Sequence, residues 1–326
     1  MAREMMYGDA IASAIVEEMQ RDSSVVLYGQ NLAMTERDPM LKKFGRNRVR
    51  IAPISETAET GIAIGAAMCG LRPIVELWMS EFMLVAFDQV INEAPRLRYM
   101  SGGQVKVPVV FKAGFGFAAG WAGQHSNCLY HTMMGIPGLK VVVPSTPADA
   151  KGLMASSIRD DNPVVYLHHY MLTLDKGEVP DGEYVVPLGV AEVKRAGSDV
   201  TIVATAWMVK KSLAAAEQLA RQGISAEVVD PRTLAPLDVK TILASVRKTG
   251  RLVLVDQAPR HSSAAAIIAA EVAEHGFEYL RAPVKMVTAL DAPVPYSEPL
   301  ENFILPNEEK IVQAVKAVLA HEAVAA

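Results

Sequence analysis

Residues 25–28, Val25-Val26-Leu27-Tyr28, form an unbroken apolar run that follows a stretch, residues 11–19, with the apolar spacing of a helix face. Similar apolar runs recur through the first half of the chain, at residues 73–77, 107–111, 140–143 and 163–167. Helical patterns separate them, at residues 56–69, 83–100, 125–135 and 147–159. Continuous apolar runs are typical of strands covered on both faces, so the sequence predicts a parallel sheet with helices on its two sides.

The alternation of strands and helices starts again after residues 175–189, which are rich in glycine, proline and charge and therefore predict a linker. The second half has strand patterns at residues 200–204, 226–229, 252–255 and 284–288. Its helical patterns lie at residues 209–222, 238–249, 263–275 and 307–321. We therefore expect two three-layer α/β domains, at residues 1–180 and 190–326, a fold class that hosts many activities.

Composition narrows the classes of function. Lysine and arginine total 32 and aspartate and glutamate total 36, a near-balance that disfavours a nucleic-acid partner. The two cysteines, Cys69 and Cys128, suit a reducing compartment better than a disulfide framework. No run of roughly 18 apolar residues predicts a membrane span, and the first residues have no signal-peptide character. We expect a cytoplasmic protein with no membrane partner.

One candidate for chemistry is the segment Pro53-Ile54-Ser55-Glu56, which precedes a helix rich in glycine and alanine. Ser55 is a plausible helix N-cap, and Glu56 then lies in the first turn, where the helix dipole stabilises a carboxylate. A purely structural role fits this segment equally well, because acidic first-turn residues and small packing residues are common.

A second candidate is the glycine-rich segment Gly114–Gly123, followed by Gln124-His125-Ser126. The segment follows a predicted strand, and the pattern predicts that His125 opens the next helix, where ligands of parallel sheets bind. Histidine is available there as an acid or base near neutral pH, although a capping or core histidine also fits. Gly114, Gly116 and Ala119 loosely match a dinucleotide fingerprint, but its acidic residue about 20 positions later is absent.

Short motifs follow one another in an order that resembles a known family. They are Pro-Ile-Ser-Glu at 53–56, Gly-Leu-Arg-Pro at 70–73, Phe82 with Asp-Gln-Val-Ile-Asn at 88–92, Tyr-Met-Ser-Gly-Gly at 99–103, Gln-His-Ser at 124–126, Pro-Gly-Leu-Lys-Val at 137–141, Ile-Arg-Asp at 158–160 and Pro-Val-Pro-Tyr at 293–296. The ordered set resembles the β subunit of the α2β2 pyruvate, acetoin and branched-chain 2-oxo acid dehydrogenases.

The resemblance implies a thiamine diphosphate shared between two subunits, with the diphosphate and its Mg²⁺ on an α subunit and the aminopyrimidine on this chain. It implies that Glu56 hydrogen-bonds a pyrimidine nitrogen, that Phe82 and Ile54 pack against the ring, and that His125 transfers protons when the acyl group passes to a lipoyl group. The positions that hold K⁺ in some relatives correspond to Val109, Ser157, Ile158, Asp160 and Asn162.

Several positions depart from the family pattern. Gln30 and Asn31 replace an acidic pair that includes a glutamate of an acidic relay, and the glycine-rich stretch after them is shortened to Leu32–Pro39. Glu81 replaces an aspartate, His168 replaces a glutamate, and His261-Ser262-Ser263 replaces Thr-Gly-Gly. These changes leave the substrate open.

We therefore expect the β subunit of a thiamine-diphosphate-dependent dehydrogenase that acts on a small 2-oxo acid or on acetoin. Its expected partners are an α subunit, in an α2β2 heterotetramer, and a lipoyl acyltransferase core. Two alternatives stay open: a split transketolase-like subunit, which would need basic residues for a sugar phosphate, and a non-catalytic scaffold subunit.

Overall fold

The computed structural model describes residues 2–30, 39–117 and 120–325, with side chains described up to residue 321. The chain forms two compact units: Met1–Phe115 with Thr132–Leu188, and Gly116–His131 with Gly189–Ala326. Residues 116–131 thus belong with the second half of the chain, although division of the sequence at one linker assigns them to the first half.

The first unit alternates strands and helices along the chain. Its strands are β1 (Ala2–Met6), β2 (Val25–Gly29), β3 (Val49–Ile51), β4 (Arg72–Met79), β5 (Val110–Phe115), β6 (Lys140–Val142), β7 (Val164–His169) and β8 (Lys176–Pro180). Its helices are α1 (Tyr7–Arg21), α2 (Pro39–Phe44), α3 (Glu56–Met68), α4 (Ala94–Met100), α5 (Tyr130–Met134), which crosses into the second unit, and α6 (Pro147–Arg159).

The core of the first unit is a parallel sheet with the order β6-β7-β5-β4-β2-β3. Every residue of β2 and β5 is buried, as expected for strands with helices on both faces. The predicted parallel α/β fold is therefore confirmed. β1 and β8 form a separate antiparallel pair, so part of the predicted linker at 175–189 is a strand.

Two predicted helices differ from the structure. The stretch 83–100 is divided into a 3₁₀ segment (Ser80–Ala86), a π segment (Asp88–Glu93) and α4, which begins next to Pro95 because proline fits only the first helical turn. The prediction that His125 opens a helix is wrong, because α5 begins at Tyr130. The preceding residues are held as a loop by hydrogen bonds from Asn127 Nδ2 to Gly123 O and from Gly116 N to Asn127 O.

The second unit contains a smaller sheet. Its strands are β9 (Glu192–Arg195), β10 (Val200–Ala204), β11 (Ala226–Asp230), β12 (Thr233–Ala235), β13 (Leu252–Pro259) and β14 (Lys285–Ala289). Its helices are α7 (Trp207–Ala220), α8 (Val239–Thr249), α9 (Ala264–His275), α10 (Glu298–Ile304) and α11 (Glu308–Ala325). The sheet order is β14-β13-β10-β11-β9, with β9 antiparallel, and apolar clusters cover both faces. Within the described residues, no helix combines the length and apolar character needed to cross a membrane.

Helix α6 is packed closely by the segment that follows β8. Val186 N–H donates to Gly152 O at 3.1 Å, and Ser156 Oγ donates to Val186 O at 2.6 Å. A Cβ on Gly152 would lie 2.5 Å from Val186 Cγ2, whereas a Cβ on Gly65 of α3 would meet nothing within 4 Å. Close packing therefore excludes a side chain at Gly152 but not at Gly65.

The substitution Gly152→Ala is expected to lower the free energy of unfolding by about 1–3 kcal/mol, because the added methyl overpacks the contact with Val186. Gly65→Ala is the matched control and is expected to be neutral or to stabilise by up to about 1 kcal/mol, as alanine favours an exposed helix. Urea unfolding of both variants measures the difference, and equal destabilisation would contradict this packing.

Candidate active site

The amino terminus of α3 carries two carboxylates. Glu56 is the first residue of the helix and is only 8% exposed, and Glu59, one turn later, is 3% exposed. Ser55 is the N-cap residue, but its side chain makes no cap hydrogen bond; instead its backbone N–H donates to Glu59 Oε1 at 3.4 Å. The positive end of the helix dipole therefore faces both carboxylates.

The buried environment changes the acidity of Glu59. Burial is the main cause that raises the pKa of Glu59 above its ordinary value of 4.5, and the neighbouring Glu56 charge adds to the rise. Contacts from Gln30 and from the Ser55 N–H oppose it. Gln30, at the position where the resemblance implies a relay glutamate, thus lies near Glu59 and carries no charge.

Ile54 and Phe82, the two apolar residues predicted for the site, belong to the same unit as Glu56. Ile54 is 82% exposed, which is high for a large apolar side chain, and Phe82 is half-buried in the 3₁₀ segment. Thr57 Oγ1 donates to Val85 O at 2.8 Å and ties this segment to the first turn of α3. The arrangement presents a carboxylate with apolar surface on neighbouring elements.

His125 lies in the second unit, half-buried in a loop rather than at a helix start. We call the described residues between 116 and 131, that is 116–117 and 120–131, the histidine loop. Ala122, three residues earlier, has a φ of +59°, which only a minority of non-glycine residues adopt. The structure therefore brings Ile54, Glu56 and Phe82 together in one unit and places His125 in the other.

The residues predicted for K⁺ lie near the end of α6 and are Val109, Ser157, Ile158, Asp160 and Asn162. Arg72 Nη1 donates to the carbonyl oxygens of Ile158 (3.1 Å) and Asp160 (3.0 Å). Lys140 Nζ pairs with the Asp160 carboxylate. Cations of the chain itself therefore occupy several of the predicted oxygen ligands.

The other three positions are engaged as well. The Val109 carbonyl accepts from a backbone N–H of β7 at 2.9 Å, Ser157 Oγ donates to the carbonyl four residues earlier at 2.7 Å, and Asn162 Oδ1 accepts from Arg98 at 2.8 Å. Among the residues with described side chains, no group of three or more His, Cys, Asp or Glu is placed to hold a metal ion.

A cavity of about 340 Å³ lies between α1 and the sheet of the first unit. Its polar lining includes the ion pair of Lys112 with Glu76, together with His168 and Thr173. Burial, and next the Lys112 charge, hold the pKa of His168 well below its ordinary value, so the imidazole is neutral. The cavity lining includes neither Glu56 nor Phe82 and is separate from the carboxylates of α3.

The other residues that depart from the family pattern are Glu81 and residues 261–263. Glu81 is buried and accepts from Ser80 Oγ at 3.1 Å, and Ser263 caps α9 by accepting from the N–H of Ala266. His261 is exposed. Asn31, most of the shortened stretch (residues 32–38), and Ala119 of the dinucleotide-like pattern lie outside the described residues.

Glu59 was not among the site residues predicted from the sequence. A signal was available, because Glu59 lies three residues after Glu56 and therefore on the same side of the helix. The burial of Glu59 and its proximity to Gln30 could not be predicted, because they depend on residues that lie far apart in the sequence.

Comparison with known proteins agrees with this fold. The family described as "Transketolase, pyrimidine binding domain" matches residues 3–173, and "Transketolase, C-terminal domain" matches residues 189–311. The split-gene transketolase, solved as an inactive β4 tetramer, superposes with a TM-score of 0.82 over 98% of this chain and 99% of that chain. At 24% identity this likeness shows the fold alone.

Curated relatives are closer in sequence. The β subunit of acetoin:2,6-dichlorophenolindophenol oxidoreductase is 42% identical in Bacillus subtilis, over 99% of both chains, and 45% identical in Cupriavidus necator, over 98% of both. The β subunit of the pyruvate dehydrogenase E1 component of Rhizobium meliloti is 42% identical over 96% of this chain and 70% of that protein. The chain belongs to the transketolase-like family of acetoin and pyruvate dehydrogenase β subunits.

The raised pKa of Glu59 predicts a pH-dependent effect of Glu59→Gln on stability. The unfolded chain releases this proton near pH 4.5 and the folded chain releases it at higher pH, so Glu59 costs stability as the pH rises through that interval. Glu59→Gln is therefore expected to raise the Tm relative to the wild type above pH 4.5, with little gain below it.

Thermal unfolding from pH 4 to pH 8 measures the effect, with Glu217→Gln on the exposed face of α7 as the matched control. A gain in Tm that is the same at every pH would contradict the raised pKa.

Proposed function

We propose that this chain is the β subunit of an enzyme that uses thiamine diphosphate to cleave a small 2-oxo acid or acetoin oxidatively and passes the acyl group to lipoamide. The observation that carries the proposal is the Glu56 carboxylate, buried at the amino terminus of α3 beside exposed apolar surface. The relatives named above are dehydrogenase and oxidoreductase β subunits, and they supply the reaction class.

The residues at the start of α3 fit an aminopyrimidine ring. A carboxylate that is nearly buried and stabilised by the helix dipole is a strong acceptor for a hydrogen bond from a ring nitrogen. Ile54, which is 82% exposed, and the half-buried Phe82 offer apolar surface for the faces of the ring. When bound, thiamine diphosphate supplies a carbon nucleophile and stabilises the charge left by carbon–carbon cleavage.

In the proposal, Glu56 holds the pyrimidine in the protonation state that activates the cofactor, and Ile54 and Phe82 orient the ring and exclude water. His125 acts in the last step. Acyl transfer breaks the lipoyl disulfide, one sulfur takes the acyl group and the other takes a proton, so the step needs a proton donor. Histidine is the side chain that most often acts as a general acid in enzymes, and His125 is half-buried.

The site on this chain is incomplete, and the proposal includes an α subunit that holds the diphosphate and Mg²⁺. The sequence has no phosphate-binding glycine motif of its own. The outer side of α3 is formed by Thr57, Gly61, Ile62, Gly65 and Met68, all exposed and none charged. A helix surface of small and apolar residues suits close packing against another protein.

The finer points of the proposal are an α2β2 heterotetramer, a lipoyl acyltransferase core as partner, and a cytoplasmic location. Potassium is not included in the mechanism. Arg72 and Lys140 already place two positive charges on the oxygens of Ile158 and Asp160, and a further cation would meet their repulsion.

The two alternatives have less support. Likeness to the split-gene transketolase concerns the fold alone at 24% identity, whereas the dehydrogenase relatives reach 42–45%. A scaffold subunit would not need a carboxylate at position 56, and the first of the following variants separates that case.

Replacing the key carboxylate, Glu56→Gln, is expected to lower kcat of the reconstituted α and β subunits by two or more orders of magnitude, because an amide cannot hold the pyrimidine in the required state. The readouts are substrate-dependent reduction of 2,6-dichlorophenolindophenol and calorimetric binding of thiamine diphosphate. Glu309→Gln, at the exposed start of α11, is the matched control. Unchanged turnover of Glu56→Gln would favour a scaffold.

The surface of α3 predicts a separate effect on assembly. A Cβ at Gly65 meets nothing within 4 Å, so Gly65→Leu leaves the isolated chain folded but projects a side chain where a partner would pack. Sedimentation with the α subunit is expected to show at least tenfold weaker association. Ala220→Leu at the exposed end of α7 is the control, and full assembly of Gly65→Leu would contradict the assigned interface.

A further inference from the structure

The histidine loop is anchored by side chains from the far end of the sequence. All of the anchors lie in the second unit, with the loop itself. The main ones are Asp256 and Gln257, consecutive residues near the end of β13, where its pairing with β14 is irregular between Asp256 and Pro259. Both side chains are almost completely buried.

Gln257 contacts residues near the start and near the end of the histidine loop. Its Nε2 donates to the carbonyl of Phe117 at 3.0 Å, and its Oε1 lies 3.9 Å from the thiol of Cys128. Phe117 and Cys128 are themselves buried, so neither contact competes with water. One amide side chain therefore fixes the distance between the start and the end of the loop.

Asp256 holds the end of the loop. Its carboxylate accepts from Tyr130 Oη and from the N–H groups of Ala258 (2.9 Å) and Ala265 (3.2 Å), the latter in the first turn of α9. Burial raises the pKa of Tyr130 well above its ordinary value, so the phenol stays protonated and donates. The contact joins the loop to a helix amino terminus through a fully buried carboxyl group, whose pKa burial raises above its ordinary value.

A third contact holds the histidine loop at Gly120, near its start. Gly120 N–H donates to Glu301 Oε2 at 3.2 Å, and Glu301 is 2% exposed in α10. His125 lies between Gly120 and Cys128 in the loop, and it is half-buried, whereas the anchored residues Phe117 and Cys128 are buried. The loop is therefore held by contacts on both sides of His125 in the sequence.

We propose that Asp256 and Gln257 are positioning residues for His125. They contact the loop and not the reacting atoms, and they set the place from which the imidazole delivers its proton during acyl transfer. The inference rests on the proposed function for its chemistry, but the anchoring itself does not. Displacement of a catalytic group by about 1 Å can cost about a hundredfold in rate, so loosening the loop is expected to be costly.

The test variant is Gln257→Met, which keeps the length and volume of the side chain but removes both polar contacts. The matched control is Thr201→Val, which removes the buried hydrogen bond between the hydroxyls of Thr201 and Thr249 at the start of β10, in the same sheet. Each variant is assembled with the α subunit and assayed with two acceptors, a lipoyl domain and 2,6-dichlorophenolindophenol.

The dye is reduced by two electrons and takes up its protons from the solvent, so its reduction does not depend on a proton delivered to a lipoyl sulfur. Gln257→Met is expected to lower kcat with the lipoyl domain about tenfold to a hundredfold and to shift its pH profile, with the dye-linked rate within about twofold of the wild type. Thr201→Val is expected to leave both rates and the profile unchanged. A proportional fall of both rates in Gln257→Met, or no fall in either, would overturn the proposal.

Hydrogen exchange measures the anchoring independently of activity. In the full chain, Gln257→Met is expected to speed exchange of amides in residues 116–131 at least tenfold relative to Thr201→Val. Unchanged exchange overturns the inference even if the enzyme is active. If the wild-type complex turns over with neither acceptor while exchange responds as expected, the proposed function fails and the anchoring stands.

Discussion

The burial of Glu56 and Glu59 at one helix end is the constraint on which the rest of the site depends. Two carboxylates close together in a poorly hydrated place repel each other, and the pKa of Glu59 is raised mainly by burial and further by its neighbour. The dipole of α3 and the N–H of Ser55 partly offset that cost. In the proposed function, this arrangement provides Glu56 as the acceptor of a hydrogen bond from the aminopyrimidine.

The surroundings of these carboxylates support the proposal that the chain acts together with a partner subunit. Ile54 is largely exposed, the outer side of α3 has small and apolar residues, and the sequence has no phosphate-binding motif. Each feature would be unfavourable or incomplete in a self-contained enzyme and is useful in a subunit. The relatives named above are likewise β subunits of larger enzymes, by their names.

The sequence predicted those parts of the molecule that depend on local pattern. Continuous apolar runs predicted buried strands such as β2 and β5. The position of Glu56 after Ser55 predicted that this carboxylate lies in the first turn of a helix. Prediction from the sequence failed where distant residues decide. His125 sits in a loop because its surroundings are held by Asp256 and Gln257, well over a hundred residues later. The contact of Arg72 with the carbonyl oxygens of Ile158 and Asp160 is equally non-local and was not predicted, and the potassium site stays a prediction.

The most direct measurement is a structure of the assembled α and β subunits with thiamine diphosphate, at a resolution that defines the ring. The account predicts a pyrimidine nitrogen within about 3 Å of a Glu56 carboxylate oxygen, which is hydrogen-bond distance. It also predicts Phe82 and Ile54 against the ring and the diphosphate on the other chain. A cofactor bound elsewhere, or a Glu56 side chain with no contact to the ring, would contradict the account.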